Sequence, residues 1–274
     1  MPPIDVAAEV TSNQPLSADY NVLSLAAPEI AKAAAPGQFV MVKAAASPLS
    51  LAPLLRRPFS VFEVLRDGQG APARISLLNK RIGASTALLY SARRGERIAC
   101  LGPLGRPFEP VDPPTEAWMV AGGVGLAPFA TLAESLRGRG VTCTLFYGAR
   151  RAAELFYVDF FRQLDVQLVV TTEDGSAGER GRVVDPLDRA LSSRRRDAAV
   201  MIYACGPEGM LAATSKTAAR HARPCQVSVE RIMGCGLGGC YSCIVPIKDG
   251  RGGVHNVRSC LAGPVFAADQ IVWD

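Results

Sequence analysis

In the N-terminal part of the chain, apolar positions fall in short runs and not in helical stripes. Residues 6–11, 21–25, 38–43 and 74–80 each read as a β-strand bounded by turn-forming residues, and Pro36-Gly37 supplies a turn between two of them. Short strands at this spacing predict an antiparallel β-barrel over residues 1–108, with no long helix before Ser85. The pattern changes after residues 109–114, whose prolines, set among acids, cannot propagate a helix or a central strand and mark a linker. Beyond it, residues 117–121 form an apolar strand, 122–125 a glycine turn, and 126–136 an amphipathic helix. Strand-like runs at 141–147, 166–171 and 200–204, with a helix placed at 154–164, continue the alternation. It predicts an α/β domain with a parallel sheet over residues 115–222. Residues 223–274 are left for a small C-terminal domain, which makes the expected fold multidomain.

Composition changes this picture little. With 49% hydrophobic and 20% charged residues, the 274-residue chain has apolar material for more than one core. No apolar run is long enough to cross a membrane, and residues 1–5 lack the basic and apolar regions of a secretion signal. A cytoplasmic protein without membrane contact is therefore expected. A net charge of +5 spread over scattered basic residues gives nucleic-acid binding little support, and the run Arg194-Arg195-Arg196 reads as a solvated face. Of the eight cysteines, Cys100, Cys143, Cys205 and Cys225 are widely spaced, mostly in apolar settings, and read as reduced thiols.

The other four carry chemistry. Cys235, Cys240 and Cys243, with a distant Cys260, have the C-x4-C-x2-C…C spacing that holds a plant-type [2Fe-2S] cluster. Gly234, Gly236, Gly238 and Gly239 let the loop turn tightly and aim amide N–H groups at inorganic sulfide. A zinc knuckle or a pair of disulfides is the competing account, but zinc ribbons favour two separated C-x2-C pairs and do not need a first loop this rich in glycine. Within the barrel, Arg56-Arg57-Pro58-Phe59-Ser60 offers a guanidinium on an extended turn, and Gly83-Ala84-Ser85-Thr86 offers a second anion site at a helix start. Two such sites suit a dinucleotide pyrophosphate, although each segment alone reads equally as a turn or a cap. The unit strand, Gly122-Gly123-Val124-Gly125, helix receives a phosphate without the G-x-G-x-x-G spacing. Cys205-Gly206-Pro207 ends a strand at the edge where α/β sheets bind ligands, and Cys205 by itself reads as a small buried residue. His221 and His255 have no nucleophile or paired carboxylate nearby in sequence and are not read as catalytic.

Together these residues resemble the ferredoxin-reductase superfamily, with Arg-Pro-x-Ser for flavin, Ala-Gly-Gly-x-Gly for nicotinamide dinucleotide and Cys-Gly-Pro at the hydride site. Segments 54–60, 101–105, 205–207, 230–243 and 260–266 narrow the resemblance to the electron-transfer subunits of type B dihydroorotate dehydrogenase, over nearly the whole chain. The resemblance implies a flavin barrel, a nicotinamide-binding α/β domain and a small [2Fe-2S] domain. It places FAD on Arg57, Pro58, Phe59, Ser60, Leu78, Asn79, Lys80, Ser85 and Thr86. It places the NAD phosphates on Gly122, Gly123 and Gly125, and the nicotinamide near Cys205, Gly206, Pro207 and Glu208, none of which need act as acid or base. The chain departs from the family at Asn79-Lys80, where Tyr-Arg is usual, and at residues 83–86, where Gly-x-Gly-Thr is usual.

The implied partner is an FMN-containing dihydroorotate dehydrogenase catalytic subunit, in a heterotetramer. The implied chemistry carries electrons from that FMN through the cluster and FAD to NAD, in pyrimidine biosynthesis. Loop 235–243 is expected to face the partner, with Arg231 at its border. NAD over NADP comes from the resemblance, while Arg150-Arg151 leaves room for a 2′-phosphate. Two alternatives stand beside this reading. One is a diaphorase-like subunit of a sulfide dehydrogenase, hydrogenase or transhydrogenase, which differs in partner; the other is a zinc-stabilised binding module without enzymatic activity.

Overall fold

The computed structural model describes residues 2–44, 55–195 and 197–273; Leu54 of the flavin motif and Arg196 of the basic run lie outside the described residues. The N-terminal half forms a seven-stranded antiparallel sheet from β1 (Ile4–Pro15), β2 (Tyr20–Ala26), β3 (Phe39–Ala44), β4 (Arg57–Ser60), β5 (Glu63–Arg66), β6 (Pro72–Lys80) and β7 (Arg97–Leu104). Strand alternation sends Leu23, Leu25, Val40, Val42, Ile75, Leu77 and Ile98 to one buried core. In order β4-β3-β7-β1-β2-β6-β5, the sheet is a half-barrel with two edges and not the closed barrel expected. The two edge strands are consecutive in sequence, so the short link between them crosses the gap instead of pairing across it. Val61 N–H donates to the Gln38 carbonyl (3.0 Å) and Phe62 N–H to that of Ser76 (2.9 Å). Helices α1 (Pro28–Ala33) and α2 (Ala84–Tyr90) flank the sheet. The short α1 starts with Pro28 in its first turn, where the missing N–H is not needed, and buries Ile30 and Ala31.

The second sheet holds β8 (Glu116–Gly122), β9 (Cys143–Ala149), β10 (Gln167–Thr172), β11 (Glu179–Arg180), β12 (Val200–Cys205), β13 (Cys225–Ser228) and β16 (Val265–Ala267), in order β11-β10-β9-β8-β12-β13-β16. Every pairing is parallel except β13 with β16. Helix α3 (Ala127–Gly138) buries Phe129, Leu132 and Leu136 on one face. On the other face, α5 (Val184–Ser193) and α6 (Glu208–Arg220) bury Leu187, Leu191, Leu211 and Ala218. Val22, Phe62, Leu78 and Phe108 of the N-terminal half lie in the same buried cluster as Met119 and Phe129, so one apolar core joins the halves. The linker is pinned to the second sheet: Tyr203 Oη donates to the Glu109 carbonyl (2.9 Å) and accepts from Val111 N–H (3.1 Å).

The helix expected at 154–164 is broken. A 3-10 turn at Ala152–Glu154 is followed by Tyr157 at φ 58°, and only then by α4 (Val158–Gln163). Tertiary contacts override helix propensity here: Phe156 packs on Tyr20 at 4.8 Å and Tyr157 on Phe62 at 4.6 Å between ring centroids. The C-terminal boundary also differs. β13 lies beyond residue 222 yet pairs with β12, and β16 pairs with β13, so the cluster segment is stitched into the nucleotide sheet. Between them stand the hairpin β14 (Ile244–Lys248) and β15 (Val254–Arg258) and the short α7 (Ser259–Ala262). All eight cysteines are free thiols, and no helix among the described residues is long and apolar enough to cross a membrane.

Candidate functional site

A cleft of about 1610 Å³ opens between the two sheets. From the half-barrel it is lined by Arg57, Pro58, Phe59 and Ser60 of β4, Leu78 and Lys80 of β6, and Ser85 and Thr86 of α2. Among the described residues Arg57 has no carboxylate partner, which leaves its guanidinium to an anion in the cleft. Lys80 lies 5.1 Å from the centre of the Tyr20 ring, another lining residue. Asn79 is different. The period of two that puts Leu78 and Lys80 in the cleft turns Asn79 to the opposite face, where it is 1% exposed. There its amide donates to Asn21 Oδ1 (2.7 Å) and to the Thr86 carbonyl (3.0 Å), bracing α2. The Thr86 hydroxyl is likewise occupied, accepting from the N–H groups of Ile82 and Gly83 at 2.9 and 3.0 Å. These features fit a flavin dinucleotide held by the β4 edge, the Leu78 and Lys80 face and Ser85.

The opposite wall stands where the strand order reverses in the second sheet, between β8 and β12. β8 and β12 are parallel neighbours, so their carboxyl ends bring Gly122, Gly123 and Gly125 beside Cys205, Gly206, Pro207 and Glu208. Gly122 and Gly125 are packing glycines: a Cβ on Gly122 would meet Met210 Sδ at 2.7 Å, and one on Gly125 would strike the Cys205 carbonyl. Gly123, at φ 55° with open space around it, is the one whose backbone faces the cleft freely. Burial pushes the Cys205 thiol up to about 12 despite a hydrogen bond from Ser228, and the Glu230 charge adds to the rise. Ser228 and Glu230 line the cleft but were not among the site residues expected from the sequence. The alternation Gln226-Val227-Ser228-Val229-Glu230, a strand pattern, was the available signal. At the far end lie Arg150 and Glu173, from the carboxyl ends of β9 and β10. Arg151 instead pairs with Glu154 at 3.5 Å.

Residues 228–233 run along the cleft and into the cysteine loop. Cys243 and Cys260 are buried against Phe39, Met41, Leu101, Leu104 and Met233, and Cys240 is exposed. Among the described residues no three Cys, His, Asp or Glu side chains converge on a single point. The thiols meet in two pairs, Cys235 with Cys240 and Cys243 with Cys260. Cys235 also acts electrostatically on Cys260, so the four thiols form one neighbourhood, and two thiolates for each of two irons is a donor set that fits a [2Fe-2S] cluster. A Cβ on Gly236 would come within 2.5 Å of Met41 Cγ, so the loop needs glycine to lie this close to β3. Arg258 clamps the loop, donating to the Gly238 carbonyl (2.8 Å) with its guanidinium 4.5 Å from the Tyr241 ring centre. Hydrogen bonds from Ser242, and then from Cys235, hold the Cys240 thiol down at about 6.

Over 248 residues, 90% of each chain, the protein is 37% identical to "Dihydroorotate dehydrogenase B (NAD(+)), electron transfer subunit" of Desulforamulus reducens. The chain belongs to this family. Its counterpart in Geobacillus kaustophilus is 36% identical over 86% of each chain. Residues 230–272 match the iron-sulfur cluster binding domain of dihydroorotate dehydrogenase B, and residues 119–216 match the oxidoreductase NAD-binding domain. Among solved structures, an NADH-dependent reduced ferredoxin-NADP oxidoreductase superposes with a TM-score of 0.81 at 29% identity, covering 98% of this chain and 91% of the other. Arg231, at the border of the cysteine loop, lines the cleft and pairs with Glu208.

Proposed function

We propose that this chain carries electrons from the FMN of a dihydroorotate dehydrogenase catalytic subunit, through a [2Fe-2S] cluster and FAD, to NAD in pyrimidine biosynthesis. One observation supports it most. Ser228, Glu230, Arg231, Ile232 and Met233 line the dinucleotide cleft and lead directly to Cys235, and Phe39 and Met233 belong both to the cleft and to the shell around Cys243 and Cys260. The two cofactor sites are thus separated by little more than shared side chains. Bound FAD supplies hydride exchange with nicotinamide and single-electron exchange with an iron–sulfur centre.

The chain's own groups bind, orient and exclude water. Arg57 meets the pyrophosphate charge, Phe59 and Leu78 give the flavin an apolar seat, and the open backbone of Gly123 receives a nicotinamide-dinucleotide phosphate. Cys205 stays a neutral thiol beside the nicotinamide and moves no proton. The glycine- and arginine-lined cleft is assigned to dinucleotides, and the oxidation of dihydroorotate is assigned to the partner subunit. Leu237 (53% exposed), Tyr241 (63%) and Ile244 (43%), all within four residues of the exposed Cys240, give this segment an apolar docking face. We take the complex to be a cytoplasmic heterotetramer with no membrane or nucleic-acid partner.

The superposition on an NADH-dependent reduced ferredoxin-NADP oxidoreductase favours a second reading, in which the same NAD-to-cluster module serves a different partner. The match of residues 230–272 to an iron-sulfur cluster binding domain favours the cluster over zinc. Anaerobic mixing of the cofactor-loaded chain with NADH tests the core of the proposal. Bleaching of the flavin absorbance followed by that of the cluster is expected, and an unchanged spectrum would overturn it.

A further inference from the structure

We infer that Ser242 raises the reduction potential of the iron–sulfur centre by donating its hydroxyl proton to the sulfur of Cys240. The inference rests on reading loop 235–243 as a [2Fe-2S] site. Ser242 Oγ lies 3.1 Å from Cys240 Sγ and accepts a hydrogen bond from Gly234 N–H at 3.0 Å. The backbone donor fixes the oxygen in place and occupies a lone pair, which leaves the hydroxyl hydrogen to the sulfur. A sulfur bound to iron is a thiolate, an acceptor only, so the direction of the bond is settled by chemistry.

The two thiol pairs have unequal surroundings. Cys240 is exposed, and Cys235 Sγ accepts from Leu237 N–H at 3.3 Å. Cys243 and Cys260 are each 2% exposed and packed among apolar side chains. An added electron increases the negative charge on the sulfurs, and that charge is stabilised where donors and water are and disfavoured where hydrocarbon is. A hydrogen bond to a sulfur therefore strengthens on reduction. Ser242 thus favours the reduced form at the outward pair, where the partner is proposed to dock. It is a positioning residue, acting through Cys240.

The test is an equilibrium redox titration of the full chain, loaded with both cofactors, with the reduced cluster followed by electron paramagnetic resonance. Ser242→Ala and Ser242→Val should each shift the reduction equilibrium about tenfold toward the oxidised form, ~59 mV for one electron. Ser242→Thr, which matches Val in shape but keeps the hydroxyl, should restore the wild-type value. The FAD potential should not move in any variant. Wild-type cluster potentials in Ala and Val with full iron and sulfide content would overturn the inference. So would loss of iron from the hydroxyl-free variants, because the hydroxyl would then hold the loop and not set its potential. A wild-type chain with no reducible cluster would instead sink the underlying reading of the site.

Discussion

Arg231 and Glu208 form a two-pronged ion pair, with Nη1 2.6 Å from Oε2 and Nη2 2.8 Å from Oε1. It ties the start of the cluster segment to the first turn of α6, where a carboxylate also complements the helix dipole. The hydrogen bond from Arg231 holds the Glu208 carboxyl below its ordinary value, so it stays ionised at neutral pH. Glu208→Gln should lower kcat/KM for NADH with an artificial acceptor by about tenfold, ~1.4 kcal/mol, without changing iron content. Steady-state kinetics with iron analysis checks this, and unaltered kcat/KM would remove Glu208 from the nicotinamide site.

Nucleotide choice depends on the far end of the cleft. Arg151 is engaged with Glu154, while Arg150 lines the cleft with Glu173 on the neighbouring strand end, and Arg182 and Lys216 add further cations to the lining. A carboxylate at this position suits a ribose hydroxyl and repels a 2′-phosphate. NADH should be oxidised at least about tenfold more efficiently than NADPH, and Glu173→Ala should narrow the gap. Preference for NADPH in the wild type would contradict the NAD assignment.

The pH profile follows from Cys205. Burial raises its thiol from the ordinary 9.0 to about 12, so the neutral form persists across the working range. NADH oxidation with an artificial acceptor should show no inflection from this group between about pH 6 and about pH 9. Its contribution to folding stability is complete below 9.0 and is lost as pH rises through about 12. A Cys205→Ala variant that removes an alkaline limb in the neutral range would contradict this.

Two carboxylates strain the junction between the sheets. Burial raises Glu63 on β5, against a hydrogen bond from Ser76; Glu134 on α3, whose side chain is exposed to solvent at one side, is raised by partial desolvation and then by the Glu63 charge, against the Arg66 charge. Raised acids favour the folded state while protonated and oppose it once ionised, so their stabilising effect fades as pH rises through their folded values. Glu134→Gln should raise Tm at about pH 8 by no more than about 2 °C, because solvent screens an exposed carboxylate, and give no gain below about pH 4.5. A Tm gain independent of pH would point to packing instead.

The parts of the chain that were legible in the sequence are those whose structure is local. The four thiols and their glycines were readable because spacing alone nearly fixes a cluster loop. β8 and β12 were readable because buried parallel strands are continuous apolar runs. Asn79 was misplaced with the flavin contacts because the face of a strand on which a residue lies depends on pairing, here with Asn21. Gly122 and Gly125 were assigned to phosphate, but their smallness serves the close approach of the Cys205–Pro207 segment, a contact made across the sheet. Tyr157 and the broken helix, the three-residue β16 and the Arg231–Glu208 pair all arise from contacts between distant segments, which leave no periodic signal.

The most direct test is coupled turnover. The isolated chain, loaded with FAD and cluster, should not oxidise dihydroorotate. Mixed anaerobically with an FMN-loaded dihydroorotate dehydrogenase catalytic subunit from the same organism, it should support dihydroorotate-dependent formation of NADH. Cys240→Ser should abolish that coupling while FAD stays bound. Absence of NADH formation, with both proteins fully loaded, would contradict the proposed role and assign the NAD-to-cluster path to another partner.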